Sequence, residues 1–109
     1  MLFLFVLIVT MHYTYILYSE KLGLFYKGST NDVSLRLKRH NGGLENYTSK
    51  GVPWILLWFI EKPSKSEAQK LEYKLKNLSQ IRLIEFMLKY QDGVVGPDEL
   101  LFIKQLSGC

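Results

Sequence analysis

Cysteine is all but missing from this sequence: Cys109, the last of its 109 residues, is the single one. No internal disulfide can form, so nothing in the chain argues for an oxidising compartment. With that one cysteine and two histidines, there is no Cys/His cluster of the kind that holds structural zinc. A glycine-rich phosphate loop of the nucleoside-triphosphatase kind is absent, as is a Gly-x-Ser-x-Gly elbow. Long hydrophobic runs are missing too. Residues 1–9 are all apolar, but a transmembrane helix needs about twenty such residues. The run also lacks the basic region and small-residue cleavage site of a signal peptide. It reads either as an extra strand or as an extension upstream of Met11. No internal repeat, low-complexity stretch or second domain is visible.

What is present describes one ordinary globular domain. The hydrophobic fraction is 48% and the charged fraction 22%, enough apolar material for a modest core. The net charge of +4 and the pI near 9.2 are compatible with a nucleic-acid partner, and raise its odds only mildly.

Residues 13–18, Tyr-Thr-Tyr-Ile-Leu-Tyr, are aromatic or β-branched apart from one leucine and predict a strand. A polar turn ends at Gly23, and residues 24–29 return as the second strand of a hairpin. Asn31 or Asp32 then caps a helix that buries Val33 and Leu37 and stops at Asn41-Gly42-Gly43. A polar connection over residues 42–53 reads as a surface loop, or alternatively as a place where Tyr47, Thr48 and Lys50 touch a nucleic-acid backbone. The seven apolar residues 54–60, bounded by Pro53 and Glu61, predict a well-buried strand. Ser64-Lys65-Ser66-Glu67 has the form of a capping box, opening a helix with Ala68, Leu71, Leu75 and Leu78 as its stripe. A further helix is expected over residues 80–90 and a short last one over 99–106. The fold class is therefore α+β: a small three-stranded antiparallel sheet, hairpin first, flanked by helices.

Chemistry-bearing residues concentrate between Tyr13 and His40. Arg36 and His40 stand four apart, on neighbouring turns of one helix face. A guanidinium can clamp a phosphate oxygen, and an imidazole or phenol can move a proton. Each has an ordinary alternative: Arg36 a surface ion pair, His40 a favourable contact with the helix dipole, and any of the seven tyrosines a packing role. A tyrosine base needs positive charge nearby, since a free phenol titrates near pH 10. Glu67 and Glu72 both fall near an edge of their helix's apolar stripe, on opposite sides, and geometry alone does not choose between them as a metal ligand.

The motifs, taken together, resemble those of the GIY-YIG nucleases. Tyr13-Thr14-Tyr15 stands where that family has Gly-Ile-Tyr, and Tyr26-Lys27-Gly28 where it has Tyr-Ile-Gly. Arg36 matches the family arginine and Glu72 its helical metal-binding glutamate. Tyr13 departs from the first glycine and Lys27 from the usual apolar middle residue. The likeness is to small stand-alone bacterial members and to the nuclease domain of the excision-repair incision subunit. It implies an endonuclease that hydrolyses DNA phosphodiesters with Mg²⁺, or Mn²⁺ in its place, in DNA repair or recombination; with residues 1–9 read as neither signal peptide nor membrane span, the expected location is the cytoplasm. Tyr15, Tyr26, Arg36, His40 and Glu72 are the expected catalytic set, with Tyr15 as general base ahead of Tyr26 or His40, and Glu72 as metal ligand. Lys27, Ser29, Asn31, Arg39, Tyr47, Thr48 and Lys50 are expected to meet the substrate. No membrane is expected as a partner, and the lack of a separate DNA-binding domain points either to low affinity or to a protein partner that supplies it. The domain is expected over residues 11–90, beginning at Met11, with 1–10 a mis-assigned start and 91–109 a tail. The alternative function is a nucleic-acid-binding accessory module of the same fold with weak or no cleavage.

Overall fold

The chain first reverses direction on a tight turn in which Ser19 Oγ accepts from the Leu22 amide at 3.1 Å and Ser19 O accepts from the Gly23 amide at 2.7 Å. Gly23 takes the left-handed conformation (φ 65°) that closes this turn, and glycine does so without steric penalty. The computed structural model describes residues 11–108, so the expectation for residues 1–10 lies outside the described residues. The turn joins β1 (His12–Ser19) to β2 (Leu24–Thr30). There follow α1 (Val33–Asn41), a 3₁₀ turn (Ser49–Gly51), β3 (Trp54–Lys62), α2 (Lys65–Lys76), α3 (Gln80–Lys89), a second 3₁₀ turn (Gln91–Gly93) and α4 (Pro97–Leu106).

The strands form one antiparallel sheet in the order β2-β1-β3, the α+β architecture expected. Side chains alternate between the faces of a strand, and β1 sends Tyr15 and Leu17 one way and Ile16 the other. Tyr15 and Leu17 pack with Trp54, Tyr26 and Leu37 of α1. Ile16 joins Leu57, Trp58, Leu75 of α2, Leu83 and Met87 of α3, and Ile103 of α4 in the larger cluster. Truncation of a fully buried residue such as Leu75 to alanine costs roughly 2–5 kcal/mol in such settings.

The apolar run of β3 is not a regular strand. Ile16 faces Trp58 while Leu17 faces Leu56, which leaves Leu57 as the extra residue of a bulge. Leu57 and Trp58 consequently both enter the larger cluster, an outcome that strict alternation would forbid. Leu57 O accepts from the Val95 amide at 3.1 Å, and Val94 bridges Trp58, so the segment before α4 covers part of the outer edge of β3.

Each tryptophan sits over a glycine. A methyl at Gly51 would collide with the Trp54 indole, and one at Gly93 with that of Trp58. Trp54 Nε1 donates to Thr48 O and Trp58 Nε1 to Tyr90 O, each at 2.8 Å.

Helix starts follow local chemistry. Asp32, rather than Asn31, caps α1, accepting from the Leu35 amide at 3.0 Å. Ser64 caps α2 through the Glu67 amide, at 3.1 Å, and Ser79 caps α3 through that of Arg82, at 3.2 Å. The last helix begins at Pro97, two residues earlier than the expected Glu99, because proline at a first helical position loses no hydrogen bond and is already bent for the helix. The expected surface loop over residues 42–53 is only partly a surface. It contains the 3₁₀ turn, and Thr48 within it is fully buried.

Candidate active site at the edge of strand β2

Tyr15 lies across from Gly28 in the hairpin register, and the missing side chain makes room for the phenol. A methyl at Gly28 would come within 2.5 Å of Tyr15 Oη. From this slot Tyr15 Oη reaches His40 Nε2 on α1 at 2.9 Å. His40 Nδ1 is 2.8 Å from Thr48 Oγ1, and the Thr48 hydroxyl points its own proton at Glu45 O, 3.4 Å away. With the Thr48 proton directed at Glu45 O, the assignment that satisfies all three groups has Nδ1–H donating to Thr48 and the Nε2 lone pair accepting from the phenol.

Burial governs both titrations. His40 is fully buried, and desolvation, aided by Arg36, holds its pKa below the usual 6.5. At neutral pH it is an uncharged acceptor. It therefore does not make the charged contact with the helix dipole that was its alternative reading. Burial likewise pushes the Tyr15 phenol well above its ordinary value of 10.0, with Tyr26 adding to the rise and Arg36 opposing it. The arginine does not overcome burial, so no standing phenolate forms in the free chain. Thr48 was expected to meet the substrate. It is instead buried beneath the surface holding His40, because its hydroxyl is the partner that the inner imidazole nitrogen requires.

A second knot lies on the other sheet face. Ser29 is one residue beyond Gly28, so its side chain points the opposite way and meets α2. Ser29 Oγ donates to Glu72 Oε1 at 2.7 Å, and Lys76 Nζ stands 2.7 Å from Glu72 Oε2, one helical turn on. Thr14 Oγ1, on the same face, donates to Ala68 O at 2.8 Å and anchors the helix to the sheet. Ser29 thus orients the glutamate rather than standing free for substrate.

The third knot is ionic. Glu45 Oε1 lies 3.0 Å from Arg36 Nε and 3.4 Å from Arg39 Nε. The Arg36 approach is an ion-pair distance at an angle that forms no hydrogen bond, since Arg36 Nε has no hydrogen-bond partner. The three residues line an open cavity of about 360 Å³ together with Thr30, Asn31, Asp32 and Leu35, which places Asn31 beside Arg36.

Tyr26 joins the halves. Its ring centroid is 4.8 Å from that of His40 on one side and 5.9 Å from that of Tyr47 on the other. It lines a cavity of about 420 Å³ with Phe25, Lys27, Tyr47 and Lys76. β2 is an edge strand, so the knots of the two faces lie on either side of its rim, and the cavity at Tyr26 reaches from Tyr47 to Lys76 across it. Lys50 is exposed on the 3₁₀ turn.

Among the described residues no group of three or more His, Cys, Asp or Glu side chains could hold a metal ion. Glu72 nevertheless suits one: its Oε2 already faces a cation, the Lys76 ammonium, and Ser29 fixes the other oxygen. A single carboxylate completed by water and phosphate oxygens is a donor set that Mg²⁺ accepts.

Sequence reasoning missed Lys76, Glu45 and Asn41. Lys76 had a signal, its i+4 spacing from Glu72. Glu45 and Asn41 had none. Asn41 accepts from the Trp54 amide through Oδ1 and donates to Trp54 O through Nδ2, clamping the end of α1 to the start of β3 by a contact that local pattern does not announce.

A small α+β domain that gathers phenols, an uncharged imidazole, an arginine and a carboxylate around one sheet edge has the make-up of a catalytic domain for phosphate esters. The chain belongs to the GIY-YIG nuclease-domain family: the GIY-YIG catalytic domain matches residues 11–83, a stretch running from β1 into α3. It is 43% identical over 70 residues to the UPF0213 protein BH0048 of Halalkalibacterium halodurans, covering 63% of this chain and 73% of that one. It is 38% identical over 79 residues to the UPF0213 protein OB0043 of Oceanobacillus iheyensis, covering 69% and 91% respectively. A solution NMR structure of the BH0048 protein, from Bacillus halodurans, aligns over 82% of this chain and 90% of that one at 38% identity, with a TM-score of 0.47. Among the described residues no helix is long and apolar enough to cross a membrane.

Proposed function

We propose that the chain is a divalent-cation-dependent endonuclease that hydrolyses DNA phosphodiester bonds. The observation that carries this reading is that the edge strand β2 is flanked by the Tyr15–His40 hydrogen bond on one face and the Ser29-oriented Glu72 carboxylate on the other, near enough for the Glu72 charge to act on the phenol. Mg²⁺, or Mn²⁺, held by Glu72 together with water and phosphate oxygens would polarise the phosphate and stabilise the leaving oxygen. Lys76 gives up Glu72 Oε2 when that happens.

The rest falls to the chain's own groups. Arg36 exchanges Glu45 for a non-bridging phosphate oxygen and neutralises the charge that grows there. Tyr15 Oη accepts the proton of the attacking water while passing its own to His40 Nε2, so the raised phenol pKa is no obstacle: a free phenolate is never formed. Thr48 keeps the imidazole in the tautomer that can accept. Tyr26, on the cavity wall, directs its hydroxyl to the phosphate or the water. Arg39, Lys27 and Lys50 supply salt-sensitive footing on the backbone. A cytoplasmic role in DNA repair or recombination belongs to the same reading.

The second reading, an accessory module that binds without cutting, draws on the two ion pairs that neutralise Arg36 and Glu72 in the free chain. Cleavage of a panel of labelled linear and branched DNAs with Mg²⁺, Mn²⁺ or EDTA separates the two. The nuclease reading expects metal-dependent product that Glu72→Gln reduces more than about a hundredfold and that Glu67→Gln, a change at a capping position, leaves in place. Binding with no cutting of any structure promotes the accessory module. Loss in Glu67→Gln with normal cutting by Glu72→Gln moves the metal off Glu72.

A further inference from the structure

Tyr26 and Lys27 have places in the proposed reaction, but the cavity they line extends beyond it to Phe25 and Tyr47. Its lining is Phe25, Tyr26, Lys27, Tyr47 and Lys76: three aromatic rings, two ammonium groups and, among the described residues, no carboxylate. Phe25 and Lys27 alternate with Tyr26 along the edge strand, so the cavity takes side chains from both faces of β2. Tyr47 rises from the other wall with 86% of its surface exposed, a large ring kept in water with little packing to justify it. Its centroid is 5.9 Å from that of Tyr26, with the planes at 50°, so the two rings leave a wedge rather than stacking on each other.

The cations point the same way. Lys27 is half-buried at the cavity wall, and burial together with the Lys76 charge lowers its pKa. Two ammonium groups share the cleft, and Glu72 offsets only Lys76. Were a divalent cation to occupy Glu72, Lys76 would be released and both cations would face the cavity without a counter-charge. An anion between them relieves that repulsion.

We propose that this cleft is a nucleotide subsite for the residue flanking the scissile phosphate, in which an unstacked base lies on Tyr47 against Tyr26 and its phosphate sits between Lys27 and Lys76. This rests on the nuclease reading and gives it a substrate class: DNA single-stranded or unpaired next to the cleaved bond. A base in a continuous duplex presents its faces to its neighbours and cannot offer one to a ring.

The test is binding of the full chain in EDTA, by fluorescence anisotropy, to a labelled thymidine oligonucleotide and to a blunt hairpin duplex of equal length. Tyr47→Ala should weaken oligonucleotide binding about five- to a hundredfold and leave hairpin binding within about twofold, while Tyr47→Phe retains both. Its high exposure keeps folding out of the comparison. Replacing Lys27 by methionine should make the log–log salt slope for the oligonucleotide shallower by roughly 0.7, since in EDTA Lys76 stays paired with Glu72. Equal effects of Tyr47→Ala on the two probes, no effect on either, or no binding by the unsubstituted chain would overturn the subsite. Metal-dependent cutting is scored separately. A Tyr47-dependent preference without cutting keeps the subsite and removes the nuclease reading, and cutting that is indifferent to Tyr47 does the reverse.

Discussion

Thr48 Oγ1 lies 2.8 Å from Nδ1 of a histidine that has no access to solvent. The contact reserves the other imidazole nitrogen, Nε2, for Tyr15. Removing the hydroxyl in Thr48→Val strands a buried N–H, which costs about 1–3 kcal/mol, and frees the ring to change tautomer. We expect a lower melting temperature and a loss in kcat larger than any change in KM. Thr48→Ser, which restores the oxygen, should recover most of the rate. Equal kcat losses in the valine and serine variants would show that the hydroxyl does not set the tautomer.

The same imidazole sets a pH limit. Its folded-state pKa is held below 6.5, by burial first and by Arg36 second. Groups facing it include Tyr15, Arg39 and Glu45, the last pulling upward. A depressed pKa contributes stability that is fully present above the unfolded value and is lost as pH falls through the folded one. Melting temperature should therefore decline below pH 6.5, and the acid limb of kcat/KM should fall in the same window because protonated His40 cannot accept from Tyr15. His40→Gln should flatten the stability profile there; an unchanged profile would place the acid-sensitive group elsewhere.

Lys76 stands where an ion at Glu72 would need access. Lys76→Met should tighten Mn²⁺ binding, measured by titration calorimetry, and lower the Mn²⁺ concentration for half-maximal cutting. Lys76 itself is exposed, and an ion pair near the surface contributes about 1 kcal/mol or less, so the fold should tolerate its loss. Weaker Mn²⁺ binding in this variant would mean that Lys76 orients the carboxylate rather than competing for it.

Gly28→Ala tests the slot that seats Tyr15. A methyl there would lie 2.5 Å from the phenol oxygen, so either the strand or the ring must shift. We expect a destabilisation of about 1–3 kcal/mol and loss of most activity, with DNA binding retained through the exposed cations. A fully active alanine variant would show that the Tyr15–His40 distance is not critical.

The sheet, its hairpin and its helices were legible because alternation, turn residues and capping side chains act over a few neighbours. The α1 cap was narrowed to two residues, and Asp32 is the one that the structure selects. The β3 bulge was hidden, because every residue of the run is apolar and the pattern is blind to a one-residue slip. The candidate residues could be named from the sequence, but their arrangement could not. Nothing in the sequence says that Tyr15 and Glu72 occupy opposite faces, that Thr48 turns inward, or that Glu45 reaches two arginines. Those relations depend on long-range packing, to which local propensity is insensitive.

The pair of indoles has a practical consequence. Trp54 belongs to the cluster on the Tyr15 face and Trp58 to the larger cluster behind it, and each N–H is tied to a carbonyl. The chain thereby carries two indole fluorophores, one lodged beside the candidate site and one in the helical layer. Replacing either by phenylalanine leaves a single indole, which can be excited at wavelengths where the seven tyrosines do not absorb. Ligand quenching of Trp54 emission could then be followed apart from unfolding reported by Trp58, with no dye attached.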